Sequence, residues 1–141
     1  MILGVGTDLI DIRRIERTIA RFGDRFLHRV YTETERQKAL GRVSPAAAFS
    51  QRYAAKEACA KALGTGFRDG VFWSDIGVDN WQSGQPFLRL TGGAMRRLEV
   101  LVPKDRVARI DLSLTDEPPY AHAMVIISAD TAEENALRPS V

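Results

Sequence analysis

Arg52-Tyr-Ala-Ala-Lys-Glu-Ala-Cys-Ala-Lys-Ala-Leu-Gly-Thr-Gly66 decides how the rest of this chain is read. The stretch has the makings of a helix that stops sharply. Ser44 is a good N-cap, Pro45 suits the first helical position, and Gly64 can take the left-handed conformation that closes the far end. The predicted helix spans residues 45 to 63. At about 100° per residue, Glu57 and Lys61 share one face with Tyr53, Ala54 and Ser50 beside them, while Ala55, Ala58, Cys59 and Ala62 form a separate strip of small side chains. One face carries charge and another permits close packing.

Upstream, Ile2, Leu3 and Val5 interrupted by Gly4 and Gly6 read as a short buried strand that delivers Asp8 near its end. The Gly4-x-Gly6 pair is not a dinucleotide loop, because Leu9 stands where a third glycine is needed. Ile15, Ile19, Phe22 and Phe26 recur at spacings of four, three and four, which predicts a helix from Asp11 to about Phe22 with all four in the core. Gly23-Asp24 restarts it, with Asp24 as the new cap. Thr32 and Glu35 form a capping box for a further short helix between Tyr31 and Gly41.

Downstream, Gly64 to Gly70 reads as a flexible loop, suited equally to lie against a ligand or to connect two elements. Ser74–Trp81 and Pro86–Thr91 read as a hairpin turning at Ser83-Gly84. A short helix after Gly92-Gly93 should turn Met95, Leu98 and Leu101 inward. Two more strands cover Arg109–Thr115 and Tyr120–Ser128. Residues 1 to 128 read as a single domain, and 129 to 141 as a frayed tail without periodicity.

At 141 residues, 45% hydrophobic and 27% charged, the chain can bury a core unaided. No apolar run approaches the ~20 residues of a membrane span, and the N-terminus lacks a signal-peptide pattern, so a cytoplasmic setting without membrane association is expected. Cys59 is the one cysteine and reads as a packed residue. His28 and His122 stand apart, no zinc spacing or Walker A pattern occurs, and aromatic residues at 8% do not interleave with the basic run. Nucleic acid is therefore not an expected partner.

Charge is unevenly spread. Between Arg13 and Arg42 nine Lys or Arg face four acids, a balance of +5, so the remainder carries −3. Arg14, Arg21 and Arg25 line one flank of the first helices, with too few acids one turn away to pair them. That flank is either a docking face for an acidic partner or a solvated surface.

Asp8 and Glu57 could supply two oxygen ligands to a hard divalent ion such as Mg²⁺, which keeps several waters and draws its other ligands from phosphate, with Lys61 beside the same phosphates. The competing reading is an ordinary Glu-x-x-x-Lys pair on an exposed helix, worth only ~0.3 kcal/mol.

Gly4-Val-Gly-Thr-Asp8-Leu-Ile-Asp11, Arg52-Tyr-Ala-Ala-Lys-Glu57-Ala-x-x-Lys61-Ala-Leu-Gly-Thr-Gly66, Gly84-x-Pro86 and Ser113-Leu-Thr-Asp116 together resemble the holo-[acyl-carrier-protein] synthase family, the small bacterial 4′-phosphopantetheinyl transferases. The resemblance covers roughly residues 1 to 128. It implies transfer of 4′-phosphopantetheine from coenzyme A to a serine of apo-acyl carrier protein, with release of adenosine 3′,5′-bisphosphate, in support of fatty acid biosynthesis. It implies Mg²⁺ on Asp8 and Glu57, a catalytic pair of Glu57 and Lys61, and a coenzyme A site from Arg52, Lys61, Gly64, Gly66, Gly84, Pro86 and Asp116. Arg14, Arg21 and Arg25 then match the carrier-protein docking helix. Some branches have a histidine where Asp116 stands, and the serine proton could go to Glu57 or to a water on the metal. The implied fold is α+β, an antiparallel sheet packed on a long central helix, in homotrimers with coenzyme A sites between subunits. Competing readings are another Mg²⁺-dependent enzyme acting on a phosphoanhydride, and a non-catalytic adaptor for acidic proteins.

Overall fold

The computed structural model describes residues 1–139. Strand β1 (Ile2–Asp11) ends where the Asp11 carboxylate accepts the Arg13 backbone N–H at 2.9 Å, and so caps α1 (Ile12–Phe22). Gly23, at φ 55°, turns the chain into α2 (Asp24–Val30) and itself holds the N-cap position expected for Asp24. The predicted Thr32–Glu35 capping box opens α3 (Glu33–Leu40). Ser44 then caps the long α4 (Pro45–Ala62), and Gly64, at φ 77°, follows its last turn. A turn of 3₁₀ helix at Trp73–Asp75 leads into the hairpin β2 (Ile76–Asn80) and β3 (Pro86–Leu90), followed by α5 (Gly92–Leu101). β4 (Val107–Glu117), β5 (Tyr120–Asp130) and α6 (Ala132–Ala136) complete the described chain.

β1, β5 and β4 form an antiparallel sheet in that order, and α4 lies against one of its faces. Residues directly opposite across antiparallel strands share a face, so Gly4, Gly6, Asp8 and Ile10 point the same way as Ile127, Val125, Ala123 and Ala121. This is the helix side. A Cβ on Gly4 would sit 1.9 Å from the Ala62 carbonyl oxygen, and one on Gly6 1.8 Å from that of Ala58. The two glycines and the alanines of α4 thus let helix and strand backbones approach. Of the eighteen residues of α4, eleven are buried, so the helix is the centre of the molecule rather than a surface element. The result is the expected α+β arrangement of an antiparallel sheet on a long helix.

Three expectations fail at the ends of elements. Phe22 is 48% exposed, because α1 stops at Gly23 and the chain turns before this ring can reach the core; the Arg21 guanidinium lies over it instead. Met95 is also exposed, and only Leu98 of the three inward residues expected on α5 is fully buried. The tail is not frayed from residue 129: β5 continues through Asp130, Thr131 and Glu134 build a second capping box, and Arg138 pairs with Asp130. Residues 140 and 141 lie outside the described chain.

The face of the sheet away from α4 carries Ile2, Val5 and Leu9 from β1 and Met124 from β5, all substantially exposed.

Candidate active site

Asp8 projects from β1 toward α4, where Glu57 and Lys61 lie one turn apart. Lys61 Nζ donates to the Asp8 carboxylate at 3.2 Å and to the Thr7 carbonyl at 2.9 Å. Burial raises the Asp8 pKa, against the pull of Lys61 and Arg14. Burial and then the charge of Asp8 raise that of Glu57, again against Lys61 and Arg14. Tyr53, one turn before Glu57, is raised by burial and by the Glu57 charge beside it. Two half-buried carboxylates, with the charge of Asp8 opposing that of Glu57, thus lie beside the cationic Lys61 and Arg14. Glu57 on its helix is therefore more than the exposed partner of Lys61. Arg14, expected only on the docking flank, also acts on both carboxylates through its charge.

A second group of predicted residues meets elsewhere. Arg52, Gly84, Pro86 and Asp116 line a cavity of about 340 Å³ with Arg42, Ser44, Gln51, Asn80 and Leu114. Gly84, at φ 89°, makes the hairpin turn, and the Asn80 side chain donates to its carbonyl at 2.9 Å. Arg52 is 6% exposed; it donates to the Ala48 carbonyl at 3.1 Å, while its Nε has no partner among the described residues. A buried guanidinium with an unfilled donor fits a phosphate or carboxylate ligand. Gly64 and Gly66 lie beyond the end of α4, both at positive φ, and line neither this cavity nor the larger one. That larger cavity, about 860 Å³ between β3, α5 and β4, contains Pro86 alone of the predicted residues and none of the carboxylates.

Arg52 and Glu57 are five residues apart on one helix, which sets their side chains roughly 140° apart around its axis. The Arg52 cavity and the carboxylate pair of one chain therefore look to different sides. Arg21 and Arg25 are exposed on α1 and α2, apart from both.

Sequence reasoning missed a fully buried ion pair. Lys56 Nζ donates to Glu35 at 2.8 Å, to the Ile76 carbonyl at 2.5 Å and to the Trp73 carbonyl at 3.1 Å, and neither charged side chain is exposed at all. Glu35 had been read only as a cap. The available signal was the helical position of Lys56, in line with Arg52, Cys59 and Leu63 rather than on the charged face. Among the described residues no group of three or more His, Cys, Asp or Glu could hold a metal, and no helix is long and apolar enough to cross a membrane.

Residues 4–121 match the family model of the 4′-phosphopantetheinyl transferase superfamily (ACPS), and the chain belongs to that superfamily. Within it, the chain is 59% identical over 136 residues to a holo-[acyl-carrier-protein] synthase of Phenylobacterium zucineum, covering 96% of this chain and 99% of that one. Its fold is similar to the crystal structure of the Neisseria meningitidis holo-[acyl-carrier-protein] synthase, with a TM-score of 0.80 at 34% identity, covering 91% and 99% of the two chains. A Bacillus anthracis synthase solved in complex with CoA (3′,5′-ADP) is similar at TM-score 0.71 and 32% identity, over 90% and 96%. The chain is an enzyme of the phosphopantetheinyl transferase class.

Proposed function

We propose that this enzyme transfers 4′-phosphopantetheine from coenzyme A to a serine hydroxyl of apo-acyl carrier protein, in a Mg²⁺-dependent reaction that releases adenosine 3′,5′-bisphosphate and supports fatty acid biosynthesis in the cytoplasm. The observation that carries this reading is the Asp8–Glu57 pair: the two carboxylates are half-buried, the charge of Asp8 opposes that of Glu57, and Lys61 stands within 3.2 Å of Asp8. The donor set is all oxygen and supplies only two protein ligands, which fits Mg²⁺ completed by water and phosphate. Bound there, Mg²⁺ would supply electrostatic stabilisation for the pyrophosphate charge that grows as the phosphoanhydride breaks.

The chain's own residues account for the rest. Lys61 holds a pyrophosphate oxygen and neutralises it. Arg52 holds a second anionic part of coenzyme A in the cavity bordered by Gly84, Pro86 and Asp116. The carrier serine oxygen forms the new bond to the phosphorus nearer the pantetheine, the anhydride bond to that phosphorus breaks, and its bridging oxygen leaves on adenosine 3′,5′-bisphosphate. Glu57, its pKa raised by burial and by the Asp8 charge, is the acceptor this chain offers for the serine proton. Gly64 and Gly66 leave the backbone beyond α4 free of side chains where the ligand approaches. Arg21 and Arg25, with Arg14 at the site's edge, dock the acidic carrier protein.

The assembly is a homotrimer. Two features support it: the apolar outer face of the sheet, and the roughly 140° between Arg52 and Glu57, which leaves each carboxylate pair to be completed by the Arg52 cavity of a neighbouring copy. Incubating the protein with coenzyme A and apo-carrier protein, and following adenosine 3′,5′-bisphosphate by chromatography, tests the reading. Bisphosphate should form with Mg²⁺ and cease on chelation. Formation without carrier protein would favour a general phosphoanhydride hydrolase instead.

A further inference from the structure

Lys56 and Glu35 join four pieces of backbone at one buried point. The ammonium uses all three of its donors: one on Glu35 from α3, one on the Trp73 carbonyl, and one on the Ile76 carbonyl at the start of β2. The carboxylate is equally filled, accepting the Thr32 N–H at 2.8 Å and the Val78 N–H of β2 at 3.0 Å. Burial alone would drive the Lys56 pKa down, and Glu35 is the charge that opposes this. What the pair holds is specific. β2, its partner β3 and the turn between them carry Asn80, Pro86 and Gly84, one wall of the Arg52 cavity. Trp73 packs at a tilt against Tyr53, 4.7 Å between ring centres, and Tyr53 lies beside Glu57. Lys56 itself precedes Glu57 in α4.

A buried ion pair of this kind rarely adds stability over apolar residues of the same volume, and its best-attested use is to fix one arrangement against others. We infer that Lys56 and Glu35 are positioning residues for the transfer reaction: they fix the β2–β3 hairpin against α4, and so set the coenzyme A wall relative to Arg52, which α4 carries into the same cavity. The inference rests on the transferase reading given above. With both side chains fully buried, the pair acts through the hairpin.

Removing Lys56 alone would bury an unpaired carboxylate and could unfold the chain, so the informative protein is the Glu35→Gln/Lys56→Met double variant, which removes both charges at similar volume. Thermal melting and circular dichroism should show it folded. Steady-state kinetics should then give a KM for coenzyme A about tenfold higher, with kcat and the KM for carrier protein each within about threefold of wild type. Amide exchange across residues 76–90 should quicken by about tenfold while exchange in α5 stays unchanged. A folded double variant with wild-type KM and wild-type hairpin exchange overturns the inference. So does a fall in kcat alone, in step with the folded fraction, which is what a merely structural role gives. If the wild-type protein itself fails to modify the carrier, the transferase reading is lost, and the exchange arm still decides whether the pair fixes the hairpin.

Discussion

Glu57 shows how much of a residue's role depends on neighbours that sequence spacing does not reveal. Its pKa is raised above the ordinary 4.5 by burial and by Asp8, so the folded protein prefers it protonated. Its contribution to stability is therefore present below pH 4.5 and is lost as pH rises through the raised value. At pH 7, Glu57→Gln removes an opposed charge. Turnover should fall by about 100-fold or more while the melting temperature holds or rises; near-normal turnover, or a clear drop in melting temperature, would refute the assigned role. Cys59 makes the opposite case. Burial pushes its thiol up to about 12, so it should resist alkylation in the native protein at pH 8 and react only on unfolding. Its packed state was legible from its alanine neighbours. The burial of Lys56 was not, because its partner Glu35 comes from another helix and already had a sufficient local explanation as a cap.

At the scale of elements, periodicity and caps located the strands and helices from β1 to β5 to within a few residues, since those signals are local, whereas the single turn of α6 is too short to show a period. The contact between α4 and β1 was only half legible: the alanine strip announced close packing, but Gly4 and Gly6 were read as breaks in a strand rather than as the other half of that contact. Gly6→Ala should cost about 3 kcal/mol, because its Cβ would meet the Ala58 carbonyl oxygen and one of the two backbones must shift; chemical denaturation measures this, and a loss below about 1 kcal/mol would mean helix and strand move apart freely. The basic flank divides under the same scrutiny. Arg14 acts on the carboxylates, so its reversal would disturb chemistry as well as docking. Arg21→Glu/Arg25→Glu is the cleaner variant: the KM for carrier protein should rise about tenfold and lose most of its salt dependence, with coenzyme A binding unchanged. An unchanged KM would return these arginines to solvated surface.

For the whole molecule, the proposed association of three chains would account both for the exposed sheet face bearing Val5, Leu9 and Met124 and for the two divided parts of the site. The trimer is implied by the family resemblance and not by the residues alone, and it would cover strands richer in Ile, Leu and Val than the predicted helices could. The resemblance named Arg52, Gly84, Pro86 and Asp116, but that Arg42, Ser44, Gln51 and Asn80 join them in one cavity could not be read, since that depends on the hairpin, β4 and α4 meeting in space. Leu9→Glu should leave a folded monomer by sedimentation, with most activity lost; a fully active monomer would remove the shared-site account. The most direct test of the account is the intact mass of an apo-acyl carrier protein after incubation with this enzyme, coenzyme A and Mg²⁺. The account predicts a gain of one phosphopantetheine on the acceptor serine, absent when that serine is replaced by alanine or when Glu57→Gln stands in for the wild type. An unmodified carrier with the wild-type enzyme would contradict it.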